Sequence, residues 1–320
     1  MFQVKMENLT SISESFLVTR NPVMIGLSVP MLQSVSKLSL YNNPKMVSLR
    51  LDKLERVNDL QVVQTAIHGL GRNSVTRLNS LEIGSNPNFS LIDFSYLVSI
   101  NGPLSIVNND PQASGNFPVL KKVGGAVTIR NLARINLEQV SSIGDTFNMI
   151  GNSFKNFSLN AVSSAGKDIA IMDNVNLNEL SFSNLTSIDG GLQIKNNSAL
   201  EQISPDSFPK LTTIKGGLNI YGPLTNISLP ATTNILGAIS IESSESLECN
   251  KIKAQFRSAS KGLFNCTEKK ISSPPTKKEL GDSSSIHSSL PSPNPSSTGV
   301  PLRIELYQLS LLYFFFIFLH

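Results

Sequence analysis

One short pattern recurs along most of this 320-residue chain, at intervals of about 22 residues. The pattern consists of two apolar residues separated by any one residue, and Asn follows shortly after the second. Residues 8–21 (NLTSISESFLVTRN) and 184–197 (NLTSIDGGLQIKNN) show the pattern most clearly. Repeats of this length are typical of solenoids, in which each repeat forms one coil and contacts only its neighbours.

The parts of the repeat predict the local structure of one coil. The apolar pair predicts a very short strand with one face directed inward. Glycine precedes the pair in many repeats and permits a sharp bend. Asn tolerates left-handed backbone and bonds nearby peptide groups, so stacked Asn side chains are expected to form a ladder. The predicted ladder consists of Asn21, Asn43, Asn86, Asn109, Asn131, Asn152, Asn174 and Asn197.

A single coil cannot bury its own apolar face, so stability must come from stacking. The repeats therefore predict a mostly β protein, a parallel β-solenoid of about eleven coils over residues 1–244. A leucine-rich-repeat fold is the neighbouring alternative. It would need an uninterrupted amphipathic run in each repeat, and Ser, Thr, Asn and Gly interrupt every such run here.

The only two cysteines, Cys249 and Cys266, follow the last repeat. In a secreted chain they would form a disulfide, and residues 245–268 would then cover the open end of the solenoid. The alternative is two unpaired thiols in a cytosolic protein. The C-terminal part of the chain favours the disulfide.

The C-terminal part changes composition twice. Residues 269–299 are rich in Ser and Pro and predict a disordered stalk. Residues 300–320 end in an apolar run of about 14 residues, shorter than the ~20 that span a bilayer. A small-residue triplet, a spacer and this tail predict a glycosylphosphatidylinositol (GPI) attachment signal that is removed, with Ser297 as the anchor residue. A tail-anchored cytosolic protein is the alternative, and it predicts a longer apolar segment and no sugar sites.

Secretion is also compatible with several Asn-x-Ser/Thr sequences. The predicted N-glycosylation sites are Asn88, Asn156, Asn184, Asn196, Asn226 and Asn265. The first residues show no signal-peptide pattern, and no cap precedes the first repeat. We therefore expect the N-terminus to be truncated.

The sequence predicts no catalytic, metal-binding or cofactor-binding residue and no cofactor. Acidic residues are scattered, the three histidines form no cluster, and there is no tryptophan to stack on sugar rings. An enzyme of the polysaccharide lyase or hydrolase kind would need long loops that build a cleft, and the repeats keep nearly constant length. The net charge of +4 is mild, and basic residues do not alternate with aromatics, which disfavours nucleic acid as a partner.

Three features together carry a resemblance to a known family: the phrase LTSIxGGLxIxNN, the final LEC…FNC pair, and the stalk with its anchor signal. The chain resembles the fungal GPI-anchored proteins of the sporulation-specific and cell-wall-organisation family, whose repeats are related to receptor L domains. The resemblance implies a right-handed parallel β-helix. It implies a non-enzymatic role in assembly and integrity of the cell wall, including the spore wall.

The same resemblance implies a place at the cell surface, on the outer leaflet of the plasma membrane or in the wall. The implied partners are cell-wall polysaccharide or mannoprotein, and the membrane through the lipid anchor. A receptor-like ectodomain that binds a protein or glycan ligand is the alternative function. Clustering of exposed strand residues such as Gln193, Lys195, Asn219 and Tyr221 would indicate a binding surface.

Overall fold

Parallel strands stacked coil upon coil make up nearly all of the regular structure, in a computed structural model that describes residues 1–71 and 73–269. The strands form a β-solenoid of about twelve coils, so the predicted fold class is confirmed. The described residues lie in one compact unit, Met1–Ser272. The predicted stalk from residue 270 onward and the predicted anchor residue Ser297 lie outside the described residues.

The longest sheet, here called the long sheet, contains twelve strands in chain order. They are β2 (Ser11–Thr19), β4 (Ser34–Asn43), β6 (Arg56–Thr65), β8 (Ser80–Gly84), β11 (Leu104–Val107), β14 (Val127–Arg130), β17 (Phe147–Ile150), β20 (Ile169–Met172), β23 (Leu192–Lys195), β26 (Leu218–Gly222), β29 (Ile239–Ser243) and β30 (Phe264–Thr267).

A second sheet of eight two-residue strands gives each of the later coils another side. Its strands are β7 (Arg77–Leu78), β10 (Ser99–Ile100), β13 (Lys122–Val123), β16 (Ser142–Ile143), β19 (Ser164–Ala165), β22 (Ser187–Ile188), β25 (Thr213–Ile214) and β28 (Asn234–Ile235).

The remaining strands form four small sheets. These contain β1 (Phe2–Lys5), β3 (Met24–Ser28) and β5 (Ser48–Arg50); β9 (Leu91–Asp93), β12 (Ser114–Asn116) and β15 (Arg134–Asn136); β18 (Asn156–Ser158) and β21 (Glu179–Ser181); and β24 (Gln202–Ile203) and β27 (Asn226–Ile227).

The core lies inside the coils, where the apolar pair of every repeat meets the same pair of the next. Leu192 pairs with Leu218 and Ile194 pairs with Ile220 on neighbouring strands. Ile194 is only 1% exposed, as the two-residue period predicts. The buried residues form one continuous cluster from Met24 to Ala259, so each coil shares its core with its neighbours.

The predicted asparagine ladder lies at the corner that follows each strand of the long sheet. Asn174 shows its geometry. Its Nδ2 donates to the backbone oxygen of Met149 at 3.0 Å, and its Oδ1 accepts from the backbone N–H of Asn152 at 2.9 Å. Asn197 in turn accepts from the backbone N–H of Asn174 at 3.0 Å. Each buried amide therefore joins successive coils and leaves few polar groups unpaired.

Asn131 does not occupy the ladder, and the prediction for that residue is wrong. It has a left-handed backbone with φ of 56°, and its exposed amide donates to Oδ1 of Asn108 at 2.7 Å. The buried Leu132 takes the ladder position, and its backbone N–H donates to Asn152. The other predicted rungs follow the second apolar residue by three positions, whereas Asn131 follows Ile129 by two. The distance from the second apolar residue therefore distinguishes the buried ladder position from the exposed left-handed position.

Helix α1 (Cys249–Phe256) closes the C-terminal end of the core. Its residues Ile252 and Phe256 are 4% and 0% exposed. After the helix the chain returns to the long sheet as β30, which pairs with β29. Cys249 and Cys266 are joined by a disulfide that links the start of the helix to this last strand. The predicted cap region, 245–268, contains both elements, and β30 adds a strand to the coils predicted from the repeats.

Candidate functional site

The outer face of the long sheet carries two columns of side chains, because its strands are parallel and in register. The first column, here called the polar column, consists of the residue between the two inward positions of each strand from β4 to β29. Its members are Ser39, Gln61, Glu82, Ser105, Thr128, Asn148, Ala170, Gln193, Asn219 and Ser240. All of them except Ala170 can donate or accept hydrogen bonds.

The second column, here called the mixed column, consists of the residue after the second inward position of each strand from β4 to β29. Its members are Tyr41, Val63, Gly84, Val107, Arg130, Ile150, Met172, Lys195, Tyr221 and Glu242. Apolar side chains dominate the middle of this column, and two cations interrupt them. Neighbouring strands are about 4.7–4.9 Å apart, so successive residues of each column are separated by about that distance.

The four outward-facing strand residues singled out in the sequence form one patch. Gln193 pairs with Asn219, and Lys195 pairs with Tyr221, on the adjacent strands β23 and β26. Tyr221 is 44% exposed, and the other three are half-buried. The patch therefore combines two amides, a cation and an aromatic ring on one surface, which suits binding of a partner.

Sequence reasoning missed the residues that extend this patch along the sheet. Met172 pairs with Lys195, and Ile150 pairs with Met172, so the mixed column continues without a gap towards the N-terminus. The signal was present in the repeats, since these residues follow the second inward position of their strands. Aligning the repeats by that position would have identified the whole column.

At the N-terminal end of the polar column, the side chains bond one another. Ser39 donates to Gln61 at 2.6 Å, and Nε2 of Gln61 donates to Glu82 at 2.8 Å. Lys37 and Asp59 line a shallow cavity of about 270 Å³ beside Glu82. Because these polar groups already satisfy one another, this end of the face offers fewer free hydrogen-bonding groups to a partner.

Four ion pairs lie at the surface of the part of the chain that the structure describes. Nζ of Lys167 lies 2.8 Å from Oδ2 of Asp145, and the lysine side chain is 63% exposed. This hydrogen bond, with a weaker one from the backbone N–H of Thr146, lowers the pKa of the Asp145 carboxyl. The same contact raises the pKa of Lys167. Water screens such an exposed pair, so its role is local.

Neither a metal cluster nor a spanning helix occurs in residues 1–71 and 73–269. No three His, Cys, Asp or Glu side chains within these ranges are placed to hold a metal ion. Within the same ranges no helix combines the length and the apolar character needed to cross a bilayer.

The predicted glycosylation sites lie at several positions around the coils. Asn184, at a turn, donates to the backbone oxygen of Asn160 at 2.8 Å, and Asn196 occupies a left-handed corner. Asn156, Asn226 and Asn265 are exposed strand residues, whereas Asn88 is half-buried. Only Asn265 of the six lies in the strands of the long sheet, on its last strand. Their glycosylation stays a prediction.

Comparison with known proteins identifies relatives of this chain in fungi. Sporulation-specific protein 2 of Saccharomyces cerevisiae is 28% identical over 273 residues, which cover 83% of this chain and 53% of the relative. Sporulation-specific protein 22 of the same organism is 27% identical over 255 residues, or 78% of this chain and 54% of the relative. The chain is a homologue of these proteins. The resemblance read from its repeats is thereby confirmed.

The name of a third relative describes it as GPI-anchored. The cell surface GPI-anchored protein of Arthroderma benhamiae is 28% identical over 206 residues, which cover 64% of this chain and 51% of the relative. The chain spans about half the length of the curated relatives it matches. None of the three names describes an enzyme. No family model matches the chain, and no solved structure matches it.

Proposed function

We propose that this protein is a non-enzymatic, GPI-anchored cell-surface protein that supports assembly and integrity of the fungal cell wall, including the spore wall. The names of the three relatives support a place at the cell surface or in sporulation. The observation that carries the proposal is the pair of columns along the long sheet from β4 to β29, which offers an extended binding face.

The chemistry of this face suits cell-wall polysaccharide or the glycans of mannoprotein. Amide groups such as those of Gln193 and Asn219 can exchange hydrogen bonds with sugar hydroxyls. The neighbouring apolar residues Ile150 and Met172 can cover the apolar faces of sugar rings. From β4 to β29 the columns run for about 43 Å, at about 4.8 Å per strand step. An extended polymer could therefore contact several strands at once, and weak contacts would add up.

The anchor belongs to the same proposal. Attachment at Ser297 with removal of residues 300–320 would tether the protein to the outer leaflet, and residues 269–299 would form the stalk. A proline-rich stalk extends by up to about 3.1 Å per residue, which would hold the solenoid away from the membrane. The segment immediately before Ser297, LPSPNPS, contains no basic pair, which is compatible with transfer from the membrane to the wall.

Two measurements test this function. Phospholipase treatment of intact cells that express the protein should release it, and its peptides should then lack residues 300–320. The purified protein should sediment with isolated wall glucan or mannoprotein. The double variant Asn219→Ala/Tyr221→Ala should bind at least tenfold more weakly.

The matched control is Thr213→Ala/Asn234→Ala, which alters the same number of residues on the neighbouring strands β25 and β28 of the second sheet. It should bind like the unaltered protein. Equal binding by both double variants would contradict the assignment of the face, and retention of the tail peptides would contradict the anchor.

The receptor-like alternative rests on the same patch. A flat surface with an exposed tyrosine, a lysine and two amides also suits a folded protein ligand, since aromatic residues are enriched at protein interfaces. Loss of binding after enzymatic removal of wall glycans supports the wall function. Binding that persists on deglycosylated protein supports the receptor-like ectodomain.

A further inference from the structure

Every sheet of a solenoid must end, and a free strand edge is a template on which another chain can pair. At the C-terminal end of this stack, the second sheet and the core are covered. Ser260 bridges Ile235 of β28, and the backbone N–H of Lys261 donates to Ile235 at 2.9 Å. Helix α1 covers the core with Ile252 and Phe256.

Two strands at this end have no further strand bonded to their outer edge among residues 1–71 and 73–269. β30 is the last strand of the long sheet, and β27 is the last strand of its pair with β24. A groove of about 650 Å³ separates β27 from α1, with Ile227 and Ser228 on one side and Ile252 and Gln255 on the other. The helix therefore lies across the groove from β27, and no backbone hydrogen bond joins the two.

Each of these two strands carries a glycosylation sequence. Asn226 begins β27 in the sequence NIS, and Asn265 is the second residue of β30 in the sequence NCT. Both side chains are exposed, while the following Ile227 is buried and Cys266 is half-buried. The two asparagines therefore face solvent on the last strand of their sheets, so a glycan attached to either would lie beside the free edge.

We propose that N-glycans on Asn226 and Asn265 shield the two C-terminal strand edges and prevent edge-to-edge association with a second copy of this chain. The inference rests on the proposed cell-surface location, because N-glycans are added to secreted chains. A pairing strand must approach to about 4.8 Å, and a bulky hydrated glycan at that distance excludes it. The glycans would do for this solenoid what charged edge residues do in other sheets.

The experiment removes the glycans without changing either asparagine. The 320-residue chain is expressed in a eukaryotic host behind a supplied secretory signal peptide and extracted in mild detergent, and its molar mass is measured by light scattering. The edge variant is Ser228→Ala/Thr267→Ala. The matched control is Thr186→Ala/Ser198→Ala, which removes the sequences at Asn184 and Asn196 in the middle of the stack. We expect the molar mass of the edge variant at least to double and that of the control to match the unaltered protein.

A third variant separates edge shielding from general solubility. Asn226→Lys/Asn265→Lys also removes both glycans but places a charge at each edge, which opposes strand pairing. We expect it to remain at the molar mass of the unaltered protein. Circular dichroism of all variants checks that the coils are folded, so that aggregation of unfolded chains is not counted as edge pairing.

Three results would overturn the proposal: peptide maps that find no glycan on Asn226 and Asn265, an edge variant as small as the control, or a Lys variant that associates like the edge variant. The outcome is independent of the wall function. If phospholipase fails to release the protein from cells but the edge variant associates, the proposed function fails and the edge inference stands.

Discussion

At the scale of single residues, a shift of one position along a short strand moves a side chain from the core to the outer face. Ile194 is 1% exposed and pairs with Ile171 and Ile220 on the neighbouring strands. Its neighbour Gln193 lies on the outer face and is half-buried. The two positions therefore offer a matched pair for substitution.

We predict that Ile194→Asp unfolds the surrounding coils, because it places an unpaired carboxylate in a core shared by three strands. Gln193→Asp should change the urea midpoint little, since its carboxylate reaches water. Chemical unfolding followed by circular dichroism compares the two variants. An Ile194→Asp protein that unfolds at the midpoint of the unaltered protein would show that the inward assignment is wrong.

The ladder gives a second prediction at this scale. Asn174→Ala should destabilise the protein because the buried backbone N–H of Asn152 and the carbonyl of Met149 both lose their side-chain partner. Each buried group left unpaired costs about 1–3 kcal/mol. Asn176→Ala is the control, since that exposed amide makes a single bond to Ser153. The free energies of unfolding of the two variants should differ clearly in urea titrations, and equal values would exclude a stabilising ladder.

At the scale of the elements, glycines before the strands set how closely coils approach. A Cβ atom on Gly144 would collide with the backbone oxygen of Gly124 in the preceding coil, and a Cβ on Gly166 would collide with Gly144 in the same way. Glycine at these two positions, which has no Cβ atom, leaves room for this contact between backbones.

Gly144→Ala is therefore expected to destabilise the solenoid by about 1–3 kcal/mol, the usual cost of forcing extra volume into a packed site. Gly222→Ala provides the control, because a Cβ atom there would meet nothing within 4 Å. Thermal unfolding should show a lower midpoint for the first variant alone. A Gly144→Ala protein as stable as the control would mean that the coils can separate at no cost.

At the scale of the whole molecule, stability depends on contacts between neighbouring coils and on closure of the end. The disulfide between Cys249 and Cys266 joins residues 17 positions apart and holds α1 against β30. A loop of this size stabilises a folded chain by about 3 kcal/mol in the chain-entropy description.

We predict that Cys249→Ser/Cys266→Ser opens the C-terminal coils and leaves the N-terminal coils protected, because solenoid coupling acts mainly between neighbours. Hydrogen exchange should become faster around β29 and β30 and stay unchanged around β4. Non-reducing peptide mapping of the unaltered protein should first recover the two cysteines as one linked peptide. Uniform loss of protection along the stack, or two free thiols, would contradict the prediction.

The sequence by itself determined the coil, because the alternation of inward and outward residues and the corner asparagines are local features repeated in each unit. The period predicted the parallel strands, the buried position of Ile194 and most of the ladder. The two-residue distance from Ile129 to Asn131, against three in the other repeats, distinguishes Asn131 from the buried ladder residues.

Only the tertiary structure decided which outward side chains become neighbours and how the stack ends. Ile150, Met172, Lys195 and Tyr221 lie more than 20 residues apart in sequence, and the register of the parallel strands brings them into one column. The return of the chain to the long sheet as β30, after α1, follows no repeat. It depends on long-range packing against the last coil, which a periodic sequence signal does not contain.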